Sequence, residues 1–176
     1  MKENNLIYKE LVESKIDELK AQRRFFEMKK YIQHGNTTVF EHSYKVALLS
    51  CKISNTLRLK VNHSNLIKGA MLHDYFLYDW HDTKNKAVLH GINHPKVALK
   101  NAKEDFEINR VEEDIILRHM FPLNPLPPRY LESWVVCVAD KISAVTETIS
   151  PIKIYYRNTL IFCNKIIFLA KNLIIS

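Results

Sequence analysis

Glycine is scarce in this chain: Gly35, Gly69 and Gly91 are the only three in 176 residues. With so few residues free to take left-handed turns, and with Leu, Ile, Lys and Glu abundant, a helical protein is expected. Cysteine is equally thin. Cys51, Cys137 and Cys163 are odd in number, scattered and without C-x-x-C spacing. That argues against a disulfide frame or a zinc knuckle and fits a reducing, cytoplasmic setting. The first residues are polar, so no secretory signal is expected there. Acid is missing from one stretch: residues 151–176 carry Lys153, Arg157, Lys165 and Lys171 but no Asp or Glu, and supply +4 of the net +7. Elsewhere the two signs nearly balance, and aromatics are not interleaved with Lys and Arg. Nucleic acid is therefore not an expected partner, whereas a phosphate-bearing small molecule is easily accommodated.

What is present reads as one helical domain, with amphipathic helices over 1–33, a core over 34–150 and an apolar helix over 151–176. Gln33 to Thr38 breaks the first pattern as a turn, with Thr37 or Thr38 capping a helix that runs to about Leu57. His42 stands four before Val46, seven before Leu49 and eleven before Ile53, so it points inward with the apolar stripe. Asn65 to Asp74 reads as a buried helix closed by His73 and Asp74. Burying a carboxylate with an imidazole costs several kcal/mol unless something compensates, and a metal ion is the commonest compensation.

Further on, His81-Asp82 lies in a polar stretch and reads as a loop pair that does not ligate. His94-Pro95 reads as a helix start, with His94 at the N-cap and Val97, Ala98 and Ala102 on the inner face. His119 stands four after Ile115, on the buried side of a helix with acids in its first turn. Phe121 to Pro128 holds four prolines and reads as a loop rimming a cleft. Residues 130–148 form the last core helix, with Trp134, Val135, Val138, Ile142 and Val145 on its apolar side and Asp140 interrupting it. Lys141 adjoins Asp140, but helix neighbours point about 100° apart, which makes a metal the simpler partner.

His42, His73-Asp74 and Asp140 thus form an H…HD…D constellation from separate helices, the way an all-helical protein holds a hydrated divalent metal. In order, spacing and context the chain resembles the HD-domain metal-dependent phosphohydrolase superfamily. The resemblance covers about 34–148 and rests on Glu41-His42-Ser43-x-x-Val46-Ala47, Ala70-x-Leu72-His73-Asp74 and Ala139-Asp140-Lys141. His94-Pro95-Lys96-Val97-Ala98 and His119 resemble the extra histidines of the two-metal subgroups, and the whole pattern looks like a bacterial subgroup. It departs from the cyclic-dinucleotide phosphodiesterase branch. Thr38 stands where some of those members place a glutamate, and the Gly-Tyr-Pro motif is missing.

The resemblance implies an all-α HD bundle that cleaves a phosphomonoester or phosphodiester of a small, nucleotide-like substrate by metal-activated water. His42, His73, Asp74 and Asp140 would hold one ion, and Asp74 would bridge to a second on His94 and His119. Mixed N/O ligation suits Mn, Fe, Co, Ni or Zn. Asp74 and Lys141 are the expected catalytic residues, with Lys141 and His90 as phosphate contacts or supports. The competing readings are a di-iron oxygenase using the same ligands and a non-catalytic nucleotide- or metal-binding module.

The tail repeats polar pairs every seven residues, at Arg157-Asn158, Asn164-Lys165 and Lys171-Asn172, with nearly everything between them apolar. Its lysines exclude a transmembrane span. A helix over about 152–171 is expected, packing on its own core and on a second subunit to give a homodimer.

Overall fold

The computed structural model describes the backbone of residues 2–81 and 87–149, and the side chains of 6–81 and 91–149. The tail helix, the homodimer contact, Asp82 and the His90 side chain all lie outside the described residues. The described residues are all-α apart from one small hairpin, as expected. Among the described residues no helix is long and apolar enough to cross a membrane.

Helix α1 (Lys2–Leu19) and a 3₁₀ segment (Arg23–Lys30) precede the core. They bury Val12 and Leu19, then Phe25 and Met28. Phe25 stands edge-on to Phe40 and Phe106, at 5.9 and 6.3 Å between ring centres, which ties this cover to one core helix and to the residue just past the end of another.

The expected turn at 33–38 is a two-stranded hairpin instead, β1 (Ile32–His34) with β2 (Thr37–Thr38). Gly35 sits at its tip with φ +57°, a left-handed conformation that glycine takes without a Cβ clash. The hairpin ends in a reciprocal cap. Thr38 Oγ1 accepts from Glu41 N at 3.2 Å, and Glu41 Oε2 accepts from Thr38 N at 2.9 Å. That capping box starts α2 (Val39–Thr56) and sets the register that turns His42, Val46 and Ala47 inward. Thr38→Ala is expected to cost about 1 kcal/mol, measurable as a lower midpoint in urea unfolding.

Asn62 caps α3 (His63–Leu72) by accepting from Asn65 N. The helix ends two residues earlier than its apolar pattern suggests, so His73 is the C-cap and Asp74 stands beyond it. The exit is pinned: Tyr75 donates its hydroxyl to Asp105 at 2.8 Å, and Asn101 donates to the Tyr75 carbonyl at 3.0 Å.

Helix α4 (Ala87–Asp105) corrects the expectation that a helix starts at His94-Pro95. Pro95 lies inside it, and His94 is a buried mid-helix residue. An internal proline costs one backbone hydrogen bond, about 3 kcal/mol. The packing of Ala98, Leu99 and Ala102 against the core outweighs a purely local preference for the first helical position.

Helix α5 (Arg110–Arg118) carries a second capping box, Asn109 with Glu112, and ends at His119. The last helix among the described residues, α6, covers 131–149. Its orientation is a second correction. Val135 is buried, but Trp134, Val138, Ile142 and Val145 are 41, 46, 46 and 57% exposed. The face turned inward holds Ser133, Val136, Ala139, Asp140, Ser143 and Glu147. Burial of the two carboxylates on that face is offset by the histidine and lysines they meet: Asp140 by His42 and Lys141, Glu147 by His42 and Lys45.

Candidate metal centre

Five elements deliver six polar side chains to one point: His42 from α2, His73 and Asp74 from the end of α3, His94 from α4, His119 from the end of α5 and Asp140 from α6. All six are at most 5% exposed. Asp74 is the hub. Its Oδ2 lies 3.2 Å from His73 Nε2 and 3.8 Å from His42 Nε2. Its Oδ1 lies 3.1 Å from His94 Nε2 and 3.4 Å from His119 Nε2. One carboxylate therefore faces two histidine pairs, one with each oxygen. Asp140 Oδ1 completes the first pair, 3.0 Å from His42 Nε2 and 3.7 Å from His73 Nε2.

The tautomers follow from the opposite ring nitrogens. His73 Nδ1 meets the Ala70 carbonyl at 2.7 Å, and His119 Nδ1 meets the Ile116 carbonyl at 2.8 Å. A carbonyl only accepts, so each Nδ1 carries its proton and Nε2 is the nitrogen that each ring turns toward the centre. His94 and His119 bring their Nε2 atoms to 2.9 Å of one another. Two lone pairs at that distance require a proton or a cation between them.

Charge points the same way. Burial would raise the carboxyl pKa of Asp74, but the imidazoles of His73, His94 and His119 around it hold it well below its ordinary value. Asp140 is likewise held low against burial, by His42, His73 and Lys141. Burial lowers His73, yet the two carboxylates outweigh it and push the ring up to about 10. For His119 burial wins, and the ring falls to about 4. The cluster thus keeps two carboxylates ionised and draws positive charge to the Nε2 atoms between them.

These residues fit a metal. His73 Nε2 and Asp74 Oδ1 are buried without a hydrogen bond of normal geometry, in a setting where buried polar atoms are almost always paired. Two groups, His42/His73/Asp140 and His73/Asp74/His119, each bring their donor atoms within 4.8 Å of one another. Imidazole and carboxylate donors suit first-row transition ions.

Three neighbours are not ligands by position. Lys141 corrects the helix-geometry argument against its pairing with Asp140. Its long chain curls back to place Nζ 2.8 Å from Asp140 Oδ2 and 2.6 Å from the His119 carbonyl. Gln33, read only as part of a turn, donates to Asp74 Oδ2 at 2.6 Å. Glu147 takes His42 Nδ1 at 2.9 Å; its spacing of seven after Asp140, two helical turns on the same face, was the available signal. His81 is 46% exposed beside Asp79, 3.4 Å away, outside the cluster.

A cavity of about 270 Å³ opens onto this cluster, lined by Gln33, His34, Asp74, Trp80, His94, Asp140 and Lys141 among others. A family model, the HD domain, matches residues 39–145, a span that takes in all six buried side chains. Searches of curated proteins and of solved structures found no match.

Proposed function

The chain belongs to the HD-domain family, whose members are mostly metal-dependent hydrolases, and from that premise we propose that it is a metal-dependent phosphohydrolase. Its substrate on this reading is a small nucleotide-like phosphomonoester or phosphodiester. The observation that carries the reading is Asp74 set between two histidine pairs at 3.1–3.8 Å, an arrangement suited to one or two divalent ions. His42, His73, Asp74 and Asp140 would hold the first and Asp74, His94 and His119 the second.

Bound there, a divalent ion supplies an acidified water as nucleophile and neutralises phosphoryl charge. The chain's own groups do the rest. Lys141, 40% exposed at the cavity edge, offers an ammonium to a phosphoryl oxygen while keeping Asp140 oriented. Gln33 holds Asp74 Oδ2 in place. Trp80, anchored by its Nε1–H on the Ile32 carbonyl at 3.1 Å, gives the mouth a ring face for the rest of the substrate.

The test is to load purified protein in turn with Mn, Fe, Co, Ni and Zn and to measure release from p-nitrophenyl phosphate and its bis ester. Ester cleavage that needs a bound metal and stops on chelation is the expected result. Oxygen uptake by the iron form without ester cleavage would favour an oxygenase on the same ligands. Metal binding with neither activity would make the site a binding module.

A further inference from the structure

We propose that Glu147 is a positioning residue for the metal centre: its carboxylate fixes His42 in the Nδ1–H tautomer and so aims the Nε2 lone pair between Asp74 and Asp140. The inference rests on the metal reading above. Its geometry is independent of any ion. Glu147 Oε2 lies 2.9 Å from His42 Nδ1, and the other oxygen, Oε1, accepts from Lys45 Nζ at 3.1 Å. His42 is fully buried and the Glu147 side chain is 5% exposed, so solvent does not compete for that ring nitrogen.

Among the described residues nothing else hydrogen-bonds the Nδ1 of this ring. His73 and His119 each lean on a carbonyl three residues back, a partner their own helix supplies. Among the described residues the His42 ring hydrogen-bonds to Glu147 and Asp140 alone. A carboxylate accepts only, so Nδ1 keeps its proton toward Glu147, and the Nε2 proton that Asp140 accepts is the one an ion would displace. An ionised partner also makes the ring a better donor toward a cation, and such outer partners are typically worth 10- to 100-fold in metal affinity. The same helix face that brings Asp140 to the ion brings Glu147, seven residues on, to the back of the ring. Lys45 lies on the outer side of that pair, half exposed, and its contribution should be small.

Zinc affinity, read by competition with a chromogenic chelator on the full-length chain, tests this. Glu147→Gln keeps the shape but can present either an acceptor or a donor to Nδ1. It is expected to weaken zinc binding 10- to 100-fold, with Glu147→Asp falling between it and the wild type and Lys45→Gln within about threefold of the wild type. Far-ultraviolet circular dichroism of the metal-free variants reports folding separately. Wild-type affinity in Glu147→Gln would overturn the positioning role while leaving the metal reading intact, as would a loss in Lys45→Gln equal to that in Glu147→Gln. A wild-type chain that binds no zinc, manganese, iron, cobalt or nickel would overturn both.

Discussion

Asp74→Asn is expected to lower metal-dependent ester cleavage by roughly 10³-fold or more and to empty both halves of the centre at once. The size follows from the hub geometry. Every histidine of the cluster has Nε2 within 3.8 Å of one Asp74 oxygen, so the substitution removes the charge shared by both pairs. Metal-derived stabilisation of a phosphoryl-transfer transition state is several kcal/mol, and each 1.36 kcal/mol is tenfold in rate. Breaking a buried charge pair by removing one partner typically costs about 3–5 kcal/mol of fold stability, so the metal-free variant should also melt earlier. Metal content by mass spectrometry, with turnover in parallel, checks the first expectation. His63→Ala, in the first turn of α3 and away from the centre, serves as the control and should change neither. Full metal occupancy in the Asp74→Asn protein would contradict the bridging role.

Gly69→Ala is expected to destabilise the fold by about 2 kcal/mol, although alanine is the better helix former. Helix α3 meets α5 at this glycine. A Cβ placed there would clash with Ile115 Cδ1 and stand 3.0 Å from its Cβ and Cγ2. The tip of Ile115 can rotate away, but its Cβ moves only with the α5 backbone. Overpacking of this kind costs about 1–3 kcal/mol or more, against a propensity gain of up to about 1 kcal/mol. For a chain of this size the net loss is a fall of roughly 4–8 °C in melting temperature. Because His73 and Asp74 follow α3 and His119 follows α5, pushing the helices apart should also weaken metal binding. Calorimetry and chelator competition read the two effects, and a raised melting temperature would show that the helices do not approach so closely.

The approach at Gly69 also shows how far the chain could be read before folding. His42 and His119 were legible because each shares an apolar stripe with residues three, four or seven positions away, and helical periodicity alone turns them inward. His73 and Asp74 were legible as polar residues ending a buried run, though not as residues beyond the helix end. The capping signal at Thr38 sets where α2 begins, whereas α3 starts at His63, two residues before the expected Asn65. All of these are short-range features, within a few residues along the chain.

Where the readings failed, a partner distant in sequence decided the outcome. Periodicity put Trp134, Val138, Ile142 and Val145 against the core, yet α6 turns Asp140, Ser143 and Glu147 inward, because Asp140 and Glu147 meet His42, 98 and 105 residues earlier. Local preference put Pro95 at a helix start, but packing kept it inside α4 and brought His94 to Asp74. Gln33 looked like turn residue and became a donor to Asp74, 41 residues on. The sequence by itself determined an all-α domain and which histidines and carboxylates are unsuited to water. Only the tertiary structure decided which of them meet and which face α6 buries. A buried charge takes its energy from the groups within about 4 Å of it, and in this protein those groups come from six separate elements.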